Sequence, residues 1–169
     1  MSAESERRVR RAVPEDAGAI AHIYNQGIED RIATFETRQR TAKDIAGWFD
    51  GCHPIVVVEE EGRVIAFAGT STYRPRACYV GVAEFSVYVE RACRGKGAGR
   101  LALDALQKAA LAAGFWKLVS RVFVENSQSR ELLRRSGFRE VGVYEKHGQL
   151  DNVWRDVVIV ECLLDSGGG

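Results

Sequence analysis

The stretch RACRGKGAGR, residues 91–100, joins an alternating apolar run, AEFSVYVE, to a long Leu/Ala-rich run, LALDALQKAALAAGF. Alternation with period two marks a strand, whereas Leu103, Leu106 and Ala110 recur at helical spacing. The chain therefore turns from strand to helix through Gly95, Gly97 and Gly99, flanked by Arg94, Lys96 and Arg100. A helix entered in this way presents its first unpaired amides outward, with the positive end of its dipole behind them. Glycines remove the Cβ atoms that would hold an anion away, so the corner is an anion cradle, suited to a pyrophosphate better than to a single carboxylate. Its spacing is R-x-x-G-x-G. No G-K-[ST] closes it as a Walker loop, and the G-x-G-x-x-G dinucleotide spacing after a parallel first strand is missing.

The anion must be caught locally, because 24 Lys and Arg balance 23 Asp and Glu. Such a balance gives no bulk attraction to duplex nucleic acid or an anionic membrane, and neither is expected as a partner. The 169 residues suit one domain. Cys52, Cys78, Cys93 and Cys162 are scattered without a C-x-x-C pair, and no signal peptide or spanning segment accompanies them. A reducing, cytoplasmic setting is the expectation. Cys52-His53 can be read as a fragment of a metal site or as a loop; with no third donor at ligand spacing the loop is preferred, and no metal is expected.

Along the chain, RRVRRAV begins a first strand, and Pro14-Glu15-Asp16 opens a helix over 17–28. The segment 30–41 is a loop and 42–49 a short helix. PIVVVEEEGRVIAFAGTSTYRPR gives two strands joined across Glu61-Gly62, and CYVGVAEFSVYVE gives a third. After the glycine corner a helix runs over 97–113 to Gly114. WKLVSRVFVE is another strand, Asn126 and Ser127 cap a helix to Arg135, and two strands close the chain. The order β-α-α-β-β-β-α-β-α-β-β predicts an α+β fold, with a central, mostly antiparallel sheet flanked by helices.

R-G-K-G-A-G after SVYVE resembles the pyrophosphate loop of the GCN5-related N-acetyltransferases, and VENSQSRELLRRSGF resembles their N-x-x-S-x-x-L-x-x-x-x-G-F segment. The resemblance spans about residues 7–164, implying one N-acetyltransferase domain with residues 1–6 and 165–169 as flexible ends. It implies acetyl-CoA as cosubstrate, with the backbone of Val87, Tyr88 and Val89 pairing with the pantetheine arm like an added strand. Gly95, Lys96, Gly97, Ala98, Gly99 and Arg100 would hold the pyrophosphate. Asn126 would contact the cofactor with Ser129 nearby, although Asn126 also has a capping explanation.

HIYNQGIEDRIATFETRQRT, YRPR, AEFSVYV and VYEKHGQLDNVWRDVV together resemble the phosphinothricin acetyltransferase branch. That branch is similar to enzymes acetylating the α-amine of phosphinothricin, methionine sulfoximine or sulfone, and arsinothricin, and commonly forms dimers, so a homodimer is implied. Independently, Arg74 and Arg76 flank the stiff Pro75 and would project to one side of an extended segment, where two guanidinium forks can grip a carboxylate and a phosphinate. The alternative is a basic loop. Phe35 and Glu36 are candidates for a pocket wall or for ordinary packing.

An amino-acid amine must lose a proton before it attacks a thioester. Glu84 interrupts an otherwise apolar strand, and the resemblance places the branch's catalytic glutamate there; the alternative is an outward-facing strand residue. Phe85 and Ser86 would border the substrate, and a water could relay the proton. An unpaired amide between Val87 and Val89 would stabilise the oxyanion. Direct transfer leaves Cys93 no nucleophilic role. Leu133 stands where relatives often carry histidine, and the tyrosine that protonates the leaving thiolate in the wider fold is missing; Tyr144 and His147 are weaker candidates than packing or hairpin roles. Rival readings are an acetyltransferase acting on a protein or peptide amine, and a non-catalytic acetyl-CoA sensor.

Overall fold

The computed structural model describes residues 5–165, so most of the expected flexible ends lie outside the described residues. Strands β1 (Arg7–Arg11), β2 (Ile55–Glu60), β3 (Arg63–Thr72), β4 (Val82–Val89), β5 (Lys117–Phe123), β6 (Arg139–Leu150) and β7 (Val153–Leu163) form one sheet in the order β1-β2-β3-β4-β5-β7-β6. Helices α1 (Ala17–Glu29), α2 (Ala42–Ala46), α3 (Ala98–Ala112) and α4 (Ser127–Arg135) cover it. This is the α+β order expected, except that the second helix stops at Ala46. Gly47 follows it at once and closes the turn onto the Asp44 and Ile45 carbonyls.

Local chemistry explains the corners. Glu61 and Gly62 both take positive φ, 52° and 75°, the backbone of a two-residue hairpin turn whose twist matches its strands. Asp151 and Asn152 do the same between β6 and β7, at 51° and 63°. Thr41 and Asp44 cap α2 reciprocally.

The two faces of the sheet bury different helices. Ala83 and Phe85 of β4 join α3 and Leu133 of α4 in the larger core. Tyr88 packs on the opposite face, against Phe67 and the apolar stripe of α1. Buried Gln26 ties α1 to the end of β4: its amide donates to Glu90 (3.1 Å) and its carbonyl accepts from the Arg91 amide (2.9 Å).

One irregularity positions the site. β4 and β5 run parallel and pair at only three positions, Val82 with Lys117, Ala83 with Leu118 and Glu84 with Val119. From Phe85 to Val89 β4 still pairs with β3, but its other edge has no partner strand, while β5 continues to Phe123 paired with β7. The two strands thus part after Glu84. An unpaired strand edge inside a sheet leaves backbone donors and acceptors that a ligand can satisfy.

Candidate active site

The parting of β4 and β5 opens a cleft of about 200 Å³, lined by Val87, Tyr88, Val89, Gly95, Gly97, Gly99, Arg100, Asn126 and Ser129 among the residues expected from the sequence. Gly97 is the cap of α3, with φ at 89°, and Gly95 has φ at 75° with open space where a Cβ would stand. A side chain at either position would be strained, and glycine lets a ligand approach the loop backbone. Gly99 serves packing instead. A Cβ there would meet Leu132 Cδ2 at 2.9 Å, so the glycine brings α3 and α4 together. Lys96 and Ala98 are outside the lining. The Lys96 carbonyl accepts from Arg7 and steadies the loop, while the Ala98 side chain is in the core.

Asn126 is the cap considered for it, and it also stands on the cleft wall. Its side-chain oxygen accepts from the Ser129 amide (3.2 Å), capping α4, and its Nδ2 donates to the Ile32 carbonyl (3.2 Å), all on the cleft wall. Residues that sequence reasoning missed also line the cleft: Gly27, Asp30, Ile32 and Ala33 from the end of α1, with Gln128 and Leu132 of α4. A glycine interrupting a helical stripe was the available signal at Gly27; nothing local marked the others. Arg94 is held in place: its Nη1 bonds Asp30 at 2.6 Å and its Nε bonds the Val89 carbonyl. Burial pushes Asp30 up, but hydrogen bonds from Arg94 and Arg91 outweigh it and hold the carboxyl below the usual range.

At the other end of the unpaired edge, Glu84 meets a group that the sequence did not associate with it. Arg121 of β5 donates through Nη2 to Glu84 Oε1 at 2.6 Å, and its Nη1 lies 3.3 Å from His147 Nε2 of β6. The side chains of Glu84 and Arg121 are 28% and 40% exposed, so the pair is open to an arriving molecule. Phe85 turns to the opposite face and packs on Phe138, 4.6 Å between ring centres, in the core rather than where it would border the substrate beside Glu84. Ser86 shares the Glu84 side by strand alternation.

Phe35 plugs the β5–β6–β7 corner, edge-on to Phe123 at 4.8 Å and close over Gly148, which is the packing alternative. Glu36 pairs with Arg40 at 2.8 Å. Arg74 lies over the Tyr73 ring, 4.7 Å from its centre, and Pro75 and Arg76 follow on the exposed loop. That loop leaves the Glu84 end of β4, since Ser71 is the β3 partner of Glu84.

Cys93 is buried, and burial together with Glu90 pushes its thiol up, against a thiolate nucleophile. Leu133 is a core residue. Tyr144 packs against His147 on the exposed strand β6. Cys52-His53 does acquire the third donor that sequence spacing left out, because Asp50, Cys52 and His53 bring donor atoms within 4.8 Å of one another. Asp50 already accepts from the Cys52 and His53 amides, at 2.8 Å each, and contacts His53 Nδ1, which accounts for the turn. None of the helices of the described residues is long and apolar enough to cross a membrane.

This geometry has known counterparts. The model of the Acetyltransferase (GNAT) family matches residues 20–138. YwnH of Bacillus subtilis, assigned provisionally as a phosphinothricin acetyltransferase, is 33% identical over 90% of this chain and 96% of its own. The L-methionine sulfoximine/L-methionine sulfone acetyltransferase of Pseudomonas paraeruginosa is 32% identical over 93% of this chain and 94% of its own. Among solved structures, a GNAT superfamily phosphinothricin acetyltransferase from Sinorhizobium meliloti, in complex with acetyl-CoA, superposes with a TM-score of 0.87 at 29% identity, covering 95% of this chain and 90% of that one. The chain belongs to the GNAT acetyltransferase family and is an acetyl-CoA-dependent acetyltransferase, with relatives in the phosphinothricin and methionine sulfoximine acetyltransferase branch.

Proposed function

We propose that residues 7–164 form one N-acetyltransferase domain that acetylates the α-amine of a small acidic amino-acid analogue such as phosphinothricin, methionine sulfoximine or sulfone, or arsinothricin. The observation that carries this reading is a single unpaired strand edge with a glycine cradle at one end and Glu84 at the other. An extended pantetheine arm fits along Val87, Tyr88 and Val89, with its diphosphate at Gly95, Gly97 and Arg100. The thioester then falls beside Glu84. Lys96 and Ala98 contribute through the loop backbone.

Glu84 takes the proton of the substrate ammonium, directly or through a water, and the freed amine attacks the thioester carbon. A β4 amide stabilises the oxyanion as it forms. The C–S bond then breaks, the acetyl group stays on nitrogen, which gives up its second proton to solvent, and coenzyme A leaves as a thiolate that takes a proton from solvent. Arg74 and Arg76 attract the acidic group of the substrate, with Pro75 limiting the loop between them. No metal or covalent enzyme intermediate takes part, the protein acts in the cytoplasm as a homodimer, and nucleic acid and membrane are not partners.

The test is thiol release from acetyl-CoA with a panel of amino-acid analogues, peptides and lysine derivatives. Turnover confined to small α-amino acids supports the proposal. Turnover on peptides alone, or tight acetyl-CoA binding with no turnover on any amine, overturns it.

A further inference from the structure

The Glu84–Arg121 pair stands at the mouth of the parted strands. It lies outside the cleft lining, so it is open to the acceptor rather than to coenzyme A. β5 runs parallel to β4, and Arg121 is two residues past the last paired position, Val119, which puts it level with Ser86. Strand alternation sets Arg121 on the Phe123 face of β5, away from Leu118 and Val122 in the core of the opposite face. Its guanidinium reaches across the gap to the carboxylate of β4. Of its five N–H donors, the Glu84 bond uses one on Nη2 and the His147 contact engages one on Nη1. The rest meet no acceptor among the described residues.

An α-amino acid carries its ammonium and its carboxylate on one carbon. Two protein charges of opposite order, 2.6 Å apart, are the complement of that arrangement. Seated on the pair, the substrate ammonium meets Glu84 and its carboxylate meets Arg121. The acidic group at the far end of the side chain cannot occupy the same place, because it is several bonds from the amine.

We infer that Arg121 is the anchor for the α-carboxylate of the acceptor, and that its ion pair with Glu84 recognises the amino-acid zwitterion as a unit. This rests on the function proposed above. It adds that an α-carboxylate is required, and it divides the work among the arginines: Arg121 takes the α-carboxylate, while Arg74 and Arg76 serve the side-chain acid. The Glu84 carboxylate, relieved of part of its attraction to Arg121 when that guanidinium engages the substrate, is placed on the proton that must leave. His147 limits the swing of the guanidinium from the other side.

The experiment compares methionine sulfone with its carboxamide, equal in shape but lacking the negative charge, using the wild-type protein, Arg121→Gln and Arg121→Lys. The wild type should favour the acid in kcat/KM by about 10- to 100-fold, the range of a charge-assisted hydrogen bond. In Arg121→Gln the acid should fall to the level of the amide, chiefly through KM, and Arg121→Lys should recover part of the preference. A ratio of two substrates on one preparation does not depend on how much of a variant folds. Wild-type protein that uses the amide as readily as the acid, or an acid preference that survives in Arg121→Gln, would overturn the inference and leave the acetyltransferase function standing. A wild type that acetylates no amine at all would overturn both.

Discussion

Gly27 and Tyr88 are in direct apposition: a Cβ added to Gly27 would stand 2.6 Å from Cε1 of the Tyr88 ring. That ring stacks on Phe67, meets Tyr24 edge-on and forms part of the cleft wall, so it has little room to retreat. Gly27→Ala would gain about 1 kcal/mol of helix propensity and lose about 1–3 kcal/mol to overpacking. The expected outcome is a small net loss of stability with a roughly tenfold weaker acetyl-CoA affinity, since one methyl displaces a ring worth a few kcal/mol of contact. Calorimetric titration checks it. Gly18→Ala in the same helix, with nothing within 4 Å, is the control and should leave affinity unchanged.

Stability should fall on the acid side, and Asp16 should carry much of the fall. The hydrogen bond from Arg10 is the main reason its carboxyl is held below the usual range, with burial opposing and the Val13 amide assisting. Arg10 bonds it through two nitrogens, at 2.8 and 2.9 Å. A group depressed by folding stabilises above its unfolded value, about 3.9, and that stabilisation is lost as pH falls toward the folded value. Melting temperature should therefore be level from neutral pH to about pH 5 and decline below it. Asp16→Asn should cost about 3 kcal/mol at pH 7 and flatten the decline. An unchanged acid slope in that variant would contradict the assignment.

The order of elements was legible because period-two and helical patterns alternate cleanly and the glycines at 62, 97, 114 and 137 mark real backbone corners, all with positive φ. The glycine corner ahead of α3 was legible for the same reason, with Gly95 and Gly97 both at positive φ. Pairings across the split sheet were not. Arg121 is 37 residues from Glu84, and on a strand with buried residues on both sides no pattern tells which face an isolated arginine joins. Phe85 illustrates the same ambiguity. Being beside Glu84 in sequence puts it on the other face, because β4 is covered by helices on both sides and its apolar residues all look alike. Asp30 and Arg94, 64 residues apart, meet where Gln26 and Arg91 tie the end of α1 to the end of β4.

Glu84→Gln tests the proton-transfer step. The amide keeps the size of the side chain but cannot serve as base, so kcat should fall by about 10²- to 10⁴-fold. Acetyl-CoA affinity should stay within about twofold, since Glu84 is outside the cleft lining. Undiminished turnover at every pH would remove Glu84 from this role.

Asn126 allows its cap and its proposed part in cofactor binding to be tested separately at one position. Its Oδ1 accepts from the Ser129 amide and its Nδ2 donates to the Ile32 carbonyl, so the cap and the link to the cleft wall use different atoms. Aspartate preserves the acceptor that caps α4 and adds charge where a helix N-terminus favours it, but it has no hydrogen to give Ile32. Alanine removes both. If Asn126 is chiefly a cap, Asn126→Asp should match the wild type in stability and acetyl-CoA affinity, while Asn126→Ala loses about 1 kcal/mol of stability. If the link to Ile32 shapes the cleft, as the joint presence of Ile32, Ala33 and Asn126 on its wall indicates, both variants should bind acetyl-CoA several-fold more weakly while only alanine melts early. The second outcome is expected, because Ile32 belongs to a loop that nothing else ties to the start of α4 among the hydrogen bonds of the described residues. Thermal melts and titrations on the same two proteins decide between them.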